Sequence, residues 1–466
     1  MKRLRFMWLL LWPLALPSVF AEDFSFDSAW QRLLNVSDKL AADNQQLHRA
    51  EAERDAARDL YLPSLSINGS YTRMEQPLEL DLRKLNPLAS LDVTTLPAQY
   101  AALLGSIPGS MFVTPFTEQD IFSASLQAMW PIYTGGQITA AQGIQKAKVA
   151  EEQQQQELSR RELFTTLVGR YYAVSVTAAL VQTQQQLVDS LQQHYHHALQ
   201  LEQQGQIAKV ERLNARVALD DAEVTLGSAK RQYEMAHIAL SRLLHDADAS
   251  INSPMFVLSN PLSLPQLTEL TLKQHPALKL LNAKEQQAKG LIDLENGKYQ
   301  PTVYLYGNYT LYEDDSLLSQ MTPDWMVGVG VKVPLITRDG RSGKVQAAKS
   351  ALLQARYTKA QTTQDLSLLV DQSYRQMLQA QEEISALESS KALAEENLKL
   401  RELAFSQGLS TSLERVDAEI KLSAVKTKAL AAHYRYLQAY ARLMAVSGQL
   451  DEFIGHSKQQ ETGHAG

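Results

Sequence analysis

The chain has 466 residues, no cysteine and a formal net charge of −6. A balance this mild argues against nucleic acid as a partner, because phosphate binding requires a concentrated basic surface. Without cysteine there are no disulfides and no thiol for a lipid anchor, so we expect packing alone to stabilise the fold.

Residues 1–21 predict a secretory signal peptide. Three of the first five residues are basic, an apolar stretch follows, and Val19, Phe20 and Ala21 fit a cleavage site. That stretch is too short to span a bilayer, and no later stretch reaches about 18 uninterrupted apolar residues. We therefore expect an exported chain, either soluble in the periplasm or embedded in the outer membrane as a β-barrel.

Helix-forming residues dominate residues 26–60, which predict the first helix, and Pro63 ends it. Its counterpart in the second half is residues 277–298. A long loop over residues 73–120 is rich in proline and includes a short predicted helix near residues 97–104. Between the halves, residues 246–275 predict a loop and another short helix, residues 264–273.

Four segments alternate between apolar and polar residues, as strands with one apolar face do. They are residues 64–72 and 121–130, a segment that starts at Pro301, and residues 325–333. Each has roughly the nine to eleven residues that cross a bilayer when tilted. Aromatic residues near the strand ends fit the girdle of a membrane barrel; they are Tyr71, Trp130, Tyr309, Tyr312 and Trp325. An ordinary periplasmic sandwich is the alternative.

Two very long helical hairpins are predicted over residues 137–245 and 341–446. Apolar residues recur every seven positions, as at Leu167, Val174 and Val181, which is typical of helices in a left-handed supercoil. The chain turns back after Gly205 and after Gly408. Because each apolar stripe is narrow, one hairpin cannot bury a full core and other hairpins must flank it.

The two halves repeat one another. Residues 61–72, YLPSLSINGSYT, return 238 positions later as YQPTVYLYGNYT, and GQIAKVERLNA from Gly205 returns 203 positions later as GLSTSLERVDA from Gly408. We therefore predict a first structural repeat over residues 22–260, a second over residues 261–450, and a flexible C-terminal tail over residues 451–466. Such a duplication describes an architecture, and it favours a conduit over an enzyme.

Four strands cannot close a barrel. An open sheet in lipid leaves two edges of unpaired N–H and C=O groups, each costing several kcal/mol. The chain must therefore assemble with copies of itself, and closed cyclic assembly is the usual solution. Three copies would give a twelve-stranded barrel with a wide interior, continued by six helical hairpins.

In this order of elements the chain resembles the TolC family of outer-membrane efflux proteins, over nearly its whole mature length. The resemblance rests on Pro63 and Pro301 at the helix-to-strand junctions, on PIYTGG from Pro131 and PLITRDG from Pro334, and on the two hairpin turns. It implies a homotrimer that is mainly α with a small β part: a transmembrane barrel in the outer membrane and an α-helical barrel in the periplasm. It also implies passive export of drugs, toxins or proteins delivered by an inner-membrane transporter and a periplasmic adaptor protein.

The resemblance also implies a gate at the periplasmic tip, where acidic residues narrow the pore. Carried onto this chain, the gate positions are Glu211, Asn214, Glu414 and Asp417. The family's usual Asp is Glu here, and Arg212 and Arg415 replace the valine that follows it, so each arginine could neutralise a carboxylate. Alternatively, Glu211 and Glu414 simply occupy the first turn of a helix, where the helix dipole stabilises a carboxylate. Gly205 and Gly408 mark the turns that an adaptor would contact.

No catalytic motif and no cofactor or metal site is predicted. His194 and His197 lie one turn apart but lack further ligands, so we expect a solvated helix surface. A different class of protein, a periplasmic coiled-coil adaptor or scaffold, remains the rival. An outer-membrane channel for type I protein secretion is the closer variant.

Overall fold

The computed structural model describes residues 23–82, 97–105, 108–247, 249–258 and 261–464. The predicted signal peptide lies outside these ranges. The chain divides into two compact units, and each takes segments from both halves of the sequence. The larger unit comprises the described parts of Met1–Leu47, Glu151–Asn282 and Tyr357–Gly466, and the smaller those of His48–Ala150 and Ala283–Arg356. The predicted repeats are therefore not the compact units, and their boundaries remain a prediction.

The described strands are β1 (Asp23–Phe24), β2 (Ser64–Arg73), β3 (Glu79–Asp81), β4 (Val113–Pro115), β5 (Asp120–Tyr133), β6 (Ser250–Ile251), β7 (Thr302–Glu313) and β8 (Trp325–Lys332). The shorter described helices are α1 (Phe26–Val36), α2 (Asp38–Arg58), α3 (Ala98–Gly105), α6 (Leu264–Gln274), α7 (Pro276–Gly297), α8 (Leu317–Met321) and α11 (Leu450–His464). The long helices are α4 (Gln137–Gln203), α5 (Lys209–Leu244), α9 (Arg341–Ser406) and α10 (Ser412–Ser447). Helices dominate, as predicted.

A four-stranded antiparallel sheet in the order β2-β5-β7-β8 organises the smaller unit. All four predicted strands are confirmed, and the alternating side chains of β2 are exposed on both faces. The apolar face carries Ile67, Val329 and Val331, each more than 60% exposed. Among the described residues, β2 and β8 each pair with a strand on one side only.

The described parts of the segment between β2 and β5 contain regular secondary structure. Its predicted short helix is present as α3. The sequence did not predict the pair β3 and β4, in which Glu79 lies opposite Pro115. Thr117 is buried and its hydroxyl accepts a hydrogen bond from the Leu78 N–H at 3.0 Å. Strands of three residues are too short to show alternation, which explains why they were missed.

The turn from β5 into α4 requires a glycine. Gly135 has a φ of +63°, and a Cβ there would lie 2.5 Å from the Cβ of Gln300. The first residue of α4, Gln137, donates from its amide to the carbonyl oxygens of Thr134 and Gly297 at 3.0 and 3.3 Å. This side-chain amide thereby ties the start of α4 to the turn after β5 and to the end of α7.

An aromatic cluster forms the core of the larger unit. Phe26 and Trp30 of α1 contact the ring of Phe164 of α4 with centroids 5.7 and 5.3 Å apart. All three side chains are at most 1% exposed. Burial of rings of this size contributes on the order of 2–3 kcal/mol each. The larger unit therefore has a buried hydrophobic core where α1 packs against α4 around Phe164.

The first predicted helix is interrupted at Ser37. This residue is extended, with φ −70° and ψ 112°, and its N–H bonds to the Leu33 carbonyl as α1 ends. Its hydroxyl accepts from the N–H of Leu40 at 3.4 Å as α2 begins. Serine favours such caps because its oxygen satisfies an unpaired N–H. The prediction of one continuous helix over residues 26–60 was wrong for this local reason.

The prediction of a flexible tail over residues 451–466 was also wrong where the chain is described. Residues 450–464 form α11, and its Phe453 is completely buried. The Phe453 ring lies 5.2 Å from Phe26 and 5.4 Å from Tyr440. Only two apolar residues of the segment reach the core, which is too weak a signal for sequence periodicity.

One described helix, α4, contains an 18-residue window with a mean hydropathy of 1.2, of which 33% is buried. By length and composition alone it could cross a membrane. A core helix passes the same test, so we base no membrane assignment on it.

Replacement of Phe453 by alanine tests the packing of α11. We expect a loss of about 3–5 kcal/mol, because a fully buried ring is removed from an aromatic cluster. The measurement is the thermal unfolding midpoint of the full chain in detergent, followed by circular dichroism. Asp451→Ala, at an exposed position of the same helix, is the matched control. Equal midpoints for the two variants would support the flexible tail instead.

Candidate functional site: the turns of the two helical hairpins

The turns at Gly205 and Gly408 have the same backbone geometry. Both glycines are left-handed, with φ of +73° and +72°. The N–H of Gln206 bonds to the Leu201 carbonyl at 2.9 Å, and that of Leu409 to the Ala404 carbonyl at 2.8 Å. These bonds end α4 and α9 in the same way, with glycine supplying the conformation that other residues avoid. The predicted turn positions are therefore confirmed as turns.

Arg212 closes the first hairpin on itself. Its Nε donates to the Glu202 carboxylate. Glu202 lies on α4, whereas Arg212 lies in the first turn of α5. The arginine therefore neutralises Glu202, and the expected pairing with the adjacent Glu211 is not what the structure shows.

Glu211 instead reaches the second hairpin. Its carboxylate accepts from the backbone N–H of Ser412, the first residue of α10, at 2.9 Å. The Ser412 side chain is completely buried, and its hydroxyl lies 2.6 Å from Nε2 of His194 on α4. Two residues of the first hairpin thus hold one serine of the second.

Arg415 bonds to residues of both hairpins. Its Nη2 donates to the Ser190 hydroxyl of α4 at 2.8 Å and to Glu402 of α9 at 2.8 Å. The same nitrogen lies 3.2 Å from Glu419, which also accepts from Ser190 at 2.7 Å. Arg415 is only 6% exposed. Glu402 and Glu419 belong to the same hairpin as Arg415, so of these three partners only Ser190 lies on the first hairpin. We call the contacts of His194, Ser190 and Glu211 with Ser412 and Arg415 the hairpin junction.

Glu414 stays within the second hairpin and remains exposed. Its carboxylate accepts from the Ser410 hydroxyl at 2.5 Å and from Arg401 at 2.9 Å. The hydrogen bond from Ser410 and the nearby charge of Arg401 lower the pKa of Glu414 below its usual value. Glu211 and Glu414 both lie in the first turn of a helix, where the dipole favours a carboxylate.

Asn214 and Asp417 line a groove of about 660 Å³ between α4, α5 and α10. The groove is otherwise largely apolar, with Leu187, Val217 and Leu413 among its walls. Asp417 is exposed and Asn214 is half-buried. Of the six predicted gate residues, the structure therefore brings Glu211 and Arg415 to the hairpin junction, and it distributes the other four around it.

His194 corrects the expectation of a solvated histidine pair. It is 3% exposed and packs edge-on against Phe405 at 4.8 Å, whereas His197 is exposed. A signal was present in the sequence, because His194 continues the spacing of the buried residues Leu187 and Leu191. Within the part of the chain that the structure describes, no group of three metal-ligating side chains occurs.

Burial makes His194 sensitive to acid. Desolvation, with the positive charges of Arg415 and His197, lowers its pKa to about 4 from 6.5. Other titratable groups around the same pocket are Glu402 and, through Ser412, Glu211. The folded chain therefore binds this proton at a lower pH than an unfolded chain does. Its contribution to stability is complete above about pH 6.5 and is lost as the pH falls toward 4.

We expect His194→Gln to remove part of the acid sensitivity of the protein. Glutamine can still bond to Ser412 but does not titrate, so the variant should lose up to about 3 kcal/mol less stability between pH 6.5 and 4. Unfolding midpoints across this range provide the measurement. His197→Gln, which changes an exposed ring one turn away, is the control and should follow the unmodified protein. If the unfolding midpoints of His194→Gln show the same pH dependence as those of the unmodified protein, the buried histidine is not the source of the acid sensitivity.

The family model described as "Outer membrane efflux protein" matches residues 29–245 and 267–449. No curated protein sequence matches the chain significantly. Among solved structures, the fold is similar to that of VceC from Vibrio cholerae, with a TM-score of 0.74 and 16% identity over 91% of this chain and 96% of that one. It is also similar to the MtrE channel of Neisseria gonorrhoeae, with a TM-score of 0.72 and 17% identity over 91% and 89%. The Campylobacter jejuni CmeC channel is similar with a TM-score of 0.72 and 14% identity over 93% of this chain and 89% of that one.

These similarities confirm the predicted fold class, an outer-membrane sheet with long periplasmic helices, and the matched family is one of channels and not of enzymes. They favour the exit channel over the rival of a periplasmic coiled-coil adaptor. The family model covers most of the sequence. The chain is thus a member of the outer membrane efflux protein family, whose members are exit channels of the outer membrane.

Proposed function

We propose that three copies of this chain form one passive duct through the outer membrane, and that a periplasmic adaptor and an inner-membrane transporter supply its cargo. The observation that carries the proposal is the pair of open sheet edges at β2 and β8. Each unpaired backbone group in lipid costs several kcal/mol, so neighbouring copies must cover both edges. Three four-stranded sheets make a twelve-stranded wall, and closed rings are the usual form of such assemblies.

The face of the sheet supports lipid contact. Ile67, Val329 and Val331 alternate with residues of small or polar character along β2 and β8. An apolar outer face and a polar inner face are what a water-filled barrel in a bilayer requires. A soluble sandwich would instead bury the apolar face against a second sheet.

We further propose that the hairpin junction is the gate of the duct. Opening the periplasmic end requires the two hairpins of one chain to separate. Ser190, His194 and Glu211 on one side hold Ser412 and Arg415 on the other, so separation must break several buried hydrogen bonds together. A closed state held by a compact set of contacts behaves as a two-state element.

The exposed carboxylates are the groups available to passing ions. Glu402, Glu414 and Asp417 are all exposed near the turns, and the charge of Glu402 is offset by the buried Arg415. We propose that Glu414 and Asp417 carry the negative charge that favours cations at the narrow end. Arg401 partly offsets Glu414, so Asp417 contributes the larger share.

The turns themselves are suited to contact with the adaptor. Leu409, next to Gly408, is 77% exposed, and Val210 near the other turn is 55% exposed. Apolar side chains at the end of a helical hairpin, bordered by charged residues, are typical of a protein contact. We propose that the adaptor covers them in the assembled exporter.

Single-channel conductance tests the gate. Arg415→Ala removes the contact of Arg415 with Ser190 from the hairpin junction, and we expect conductance in planar bilayers to rise several-fold because the closed state loses a hydrogen bond from a charged donor, worth about 1.5–3 kcal/mol. Arg212→Ala is the matched control, since it removes the arginine at the equivalent position of the other turn, whose partner Glu202 lies within the same hairpin. Similar conductance for Arg415→Ala and the unmodified channel would contradict the assignment of the gate.

A further inference from the structure

One patch on the polar face of the sheet is aromatic. Tyr304 and Tyr306 of β7 lie on the face opposite to that of Val329 and Val331, because side chains alternate along a strand. Their ring centroids are 6.2 Å apart, with an angle of 49° between the ring planes. Met129 of β5 lies opposite Tyr306 and is itself 53% exposed. In the proposed duct this face lines the lumen, so the patch interrupts a wall that is otherwise mostly polar.

Two glycines of β8 provide the space for these rings. Gly330 lies opposite Tyr304, and Gly328 lies opposite Tyr306. A Cβ on Gly328 would lie 2.6 Å from both Cζ and Oη of Tyr306. One on Gly330 would lie 2.6 Å from Cε2 of Tyr304. Both distances are too short for a real contact, so the rings occupy the volume that the side chain of any other residue would fill.

The glycines are not explained by an irregularity of the strand pair. Glycine inside a strand often marks a bulge, a bend or a place where another group approaches closely. The pairing of β7 with β8 runs from Lys332 to Trp325 without a register shift, so neither glycine lies in a bulge. The groups that approach them are the tyrosine rings. Each ring covers its glycine from one side, while Tyr306 remains 40% exposed and Tyr304 is half-buried.

Lys332 supplies the nearest charge on the same face. It is exposed and lies two residues after Gly330, which is roughly 7 Å along the strand. The other charged residue of the four strands on this face is Glu313, which pairs with Ser123. It lies seven residues beyond Tyr306, or roughly 23 Å. Among the strand residues, the patch therefore combines aromatic rings with a positive charge and has no carboxylate beside it.

We infer that Tyr304, Tyr306 and Lys332 form a lumenal binding site for planar aromatic anions, such as aromatic carboxylates. This inference rests on the proposed duct, in which three copies present three such sites around one lumen. A planar ring stacks on the exposed parts of the tyrosine rings, since offset and edge-to-face arrangements of aromatic rings are favourable. The ammonium group of Lys332 then attracts the acid group.

The charge of the ligand follows from Lys332. Tyrosine rings alone would also attract an aromatic cation. The ammonium group of Lys332 repels such a cation, and no strand carboxylate is close enough to offset the repulsion. The site is a shallow and exposed surface, so it binds weakly. Weak binding suits a duct, because cargo must leave the site as readily as it enters.

Binding of naphthalene-2-carboxylate tests the site. The mature channel in lipid nanodiscs is titrated with this acid, and saturation-transfer NMR reports binding above that of empty nanodiscs. We expect saturable binding, and much weaker binding of decahydronaphthalene-2-carboxylate, which has the same charge and carbon skeleton without aromatic rings. Tyr304→Leu combined with Tyr306→Leu should weaken binding at least about fivefold, because two aromatic contacts are lost. Tyr309→Leu, on the opposite face of the same strand, is the matched control and should bind as the unmodified channel does.

Lys332→Gln tests the charge. We expect this variant to bind naphthalene-2-carboxylate about two- to fivefold more weakly, as the loss of an exposed ion pair does. Binding of the neutral compound 2-naphthol should not change. An equal loss of affinity for both compounds would contradict the role of the charge.

The oligomeric state separates this inference from the duct on which it rests. The unmodified protein and every variant are sized before titration. If trimers bind naphthalene-2-carboxylate no more than empty nanodiscs do, or if Tyr309→Leu loses as much affinity as the double variant, the site is overturned while the duct stands. If the unmodified protein is a monomer, the duct is overturned and the lumenal site with it.

Discussion

Backbone groups at the edge of a sheet have no substitute for a partner in lipid. Water satisfies such edges in a soluble protein, but the hydrocarbon core offers neither donors nor acceptors. The sheet of this chain has four strands and two such edges. Its apolar face is exposed in the single chain, so burial in a core does not explain the pattern. Both facts are accounted for together when the sheet is part of a wall that several chains complete.

In the proposed duct, the repeated strands form the wall, and the two hairpins differ from one another at the proposed gate. The turns at Gly205 and Gly408 are alike in backbone geometry, yet the two arginines that follow them have different partners. Arg212 bonds within its own hairpin, whereas Arg415 bonds to Ser190 across the junction. Arginines at equivalent positions of the two repeats thus make a contact within one hairpin in the first case and a contact between hairpins in the second. Buried hydrogen bonds of this kind favour one specific arrangement and make its loss cooperative.

The features with a repeating pattern could be predicted from the sequence. Alternation located the four long strands, and seven-residue spacing located the long helices. What the sequence did not reveal was local: the break at Ser37, the three-residue strands β3 and β4, and the packing of α11 through Phe453. Each depends on one or two side chains, and periodicity needs several. The residues predicted for the gate lie close to the two turns, but their partners lie 10 to more than 200 positions away, as with Glu202 for Arg212 and Ser190 for Arg415. No spacing rule relates such distances. The burial of His194, by contrast, could have been predicted, because this residue continues the spacing of the buried residues Leu187 and Leu191.

The central claim is that a single chain supplies only part of a closed wall. Native mass spectrometry of the mature protein, released from detergent micelles, tests it most directly. The account predicts a complex of three chains that needs detergent to stay in solution and that persists at low protein concentration. A monodisperse single chain that remains soluble without detergent would contradict it.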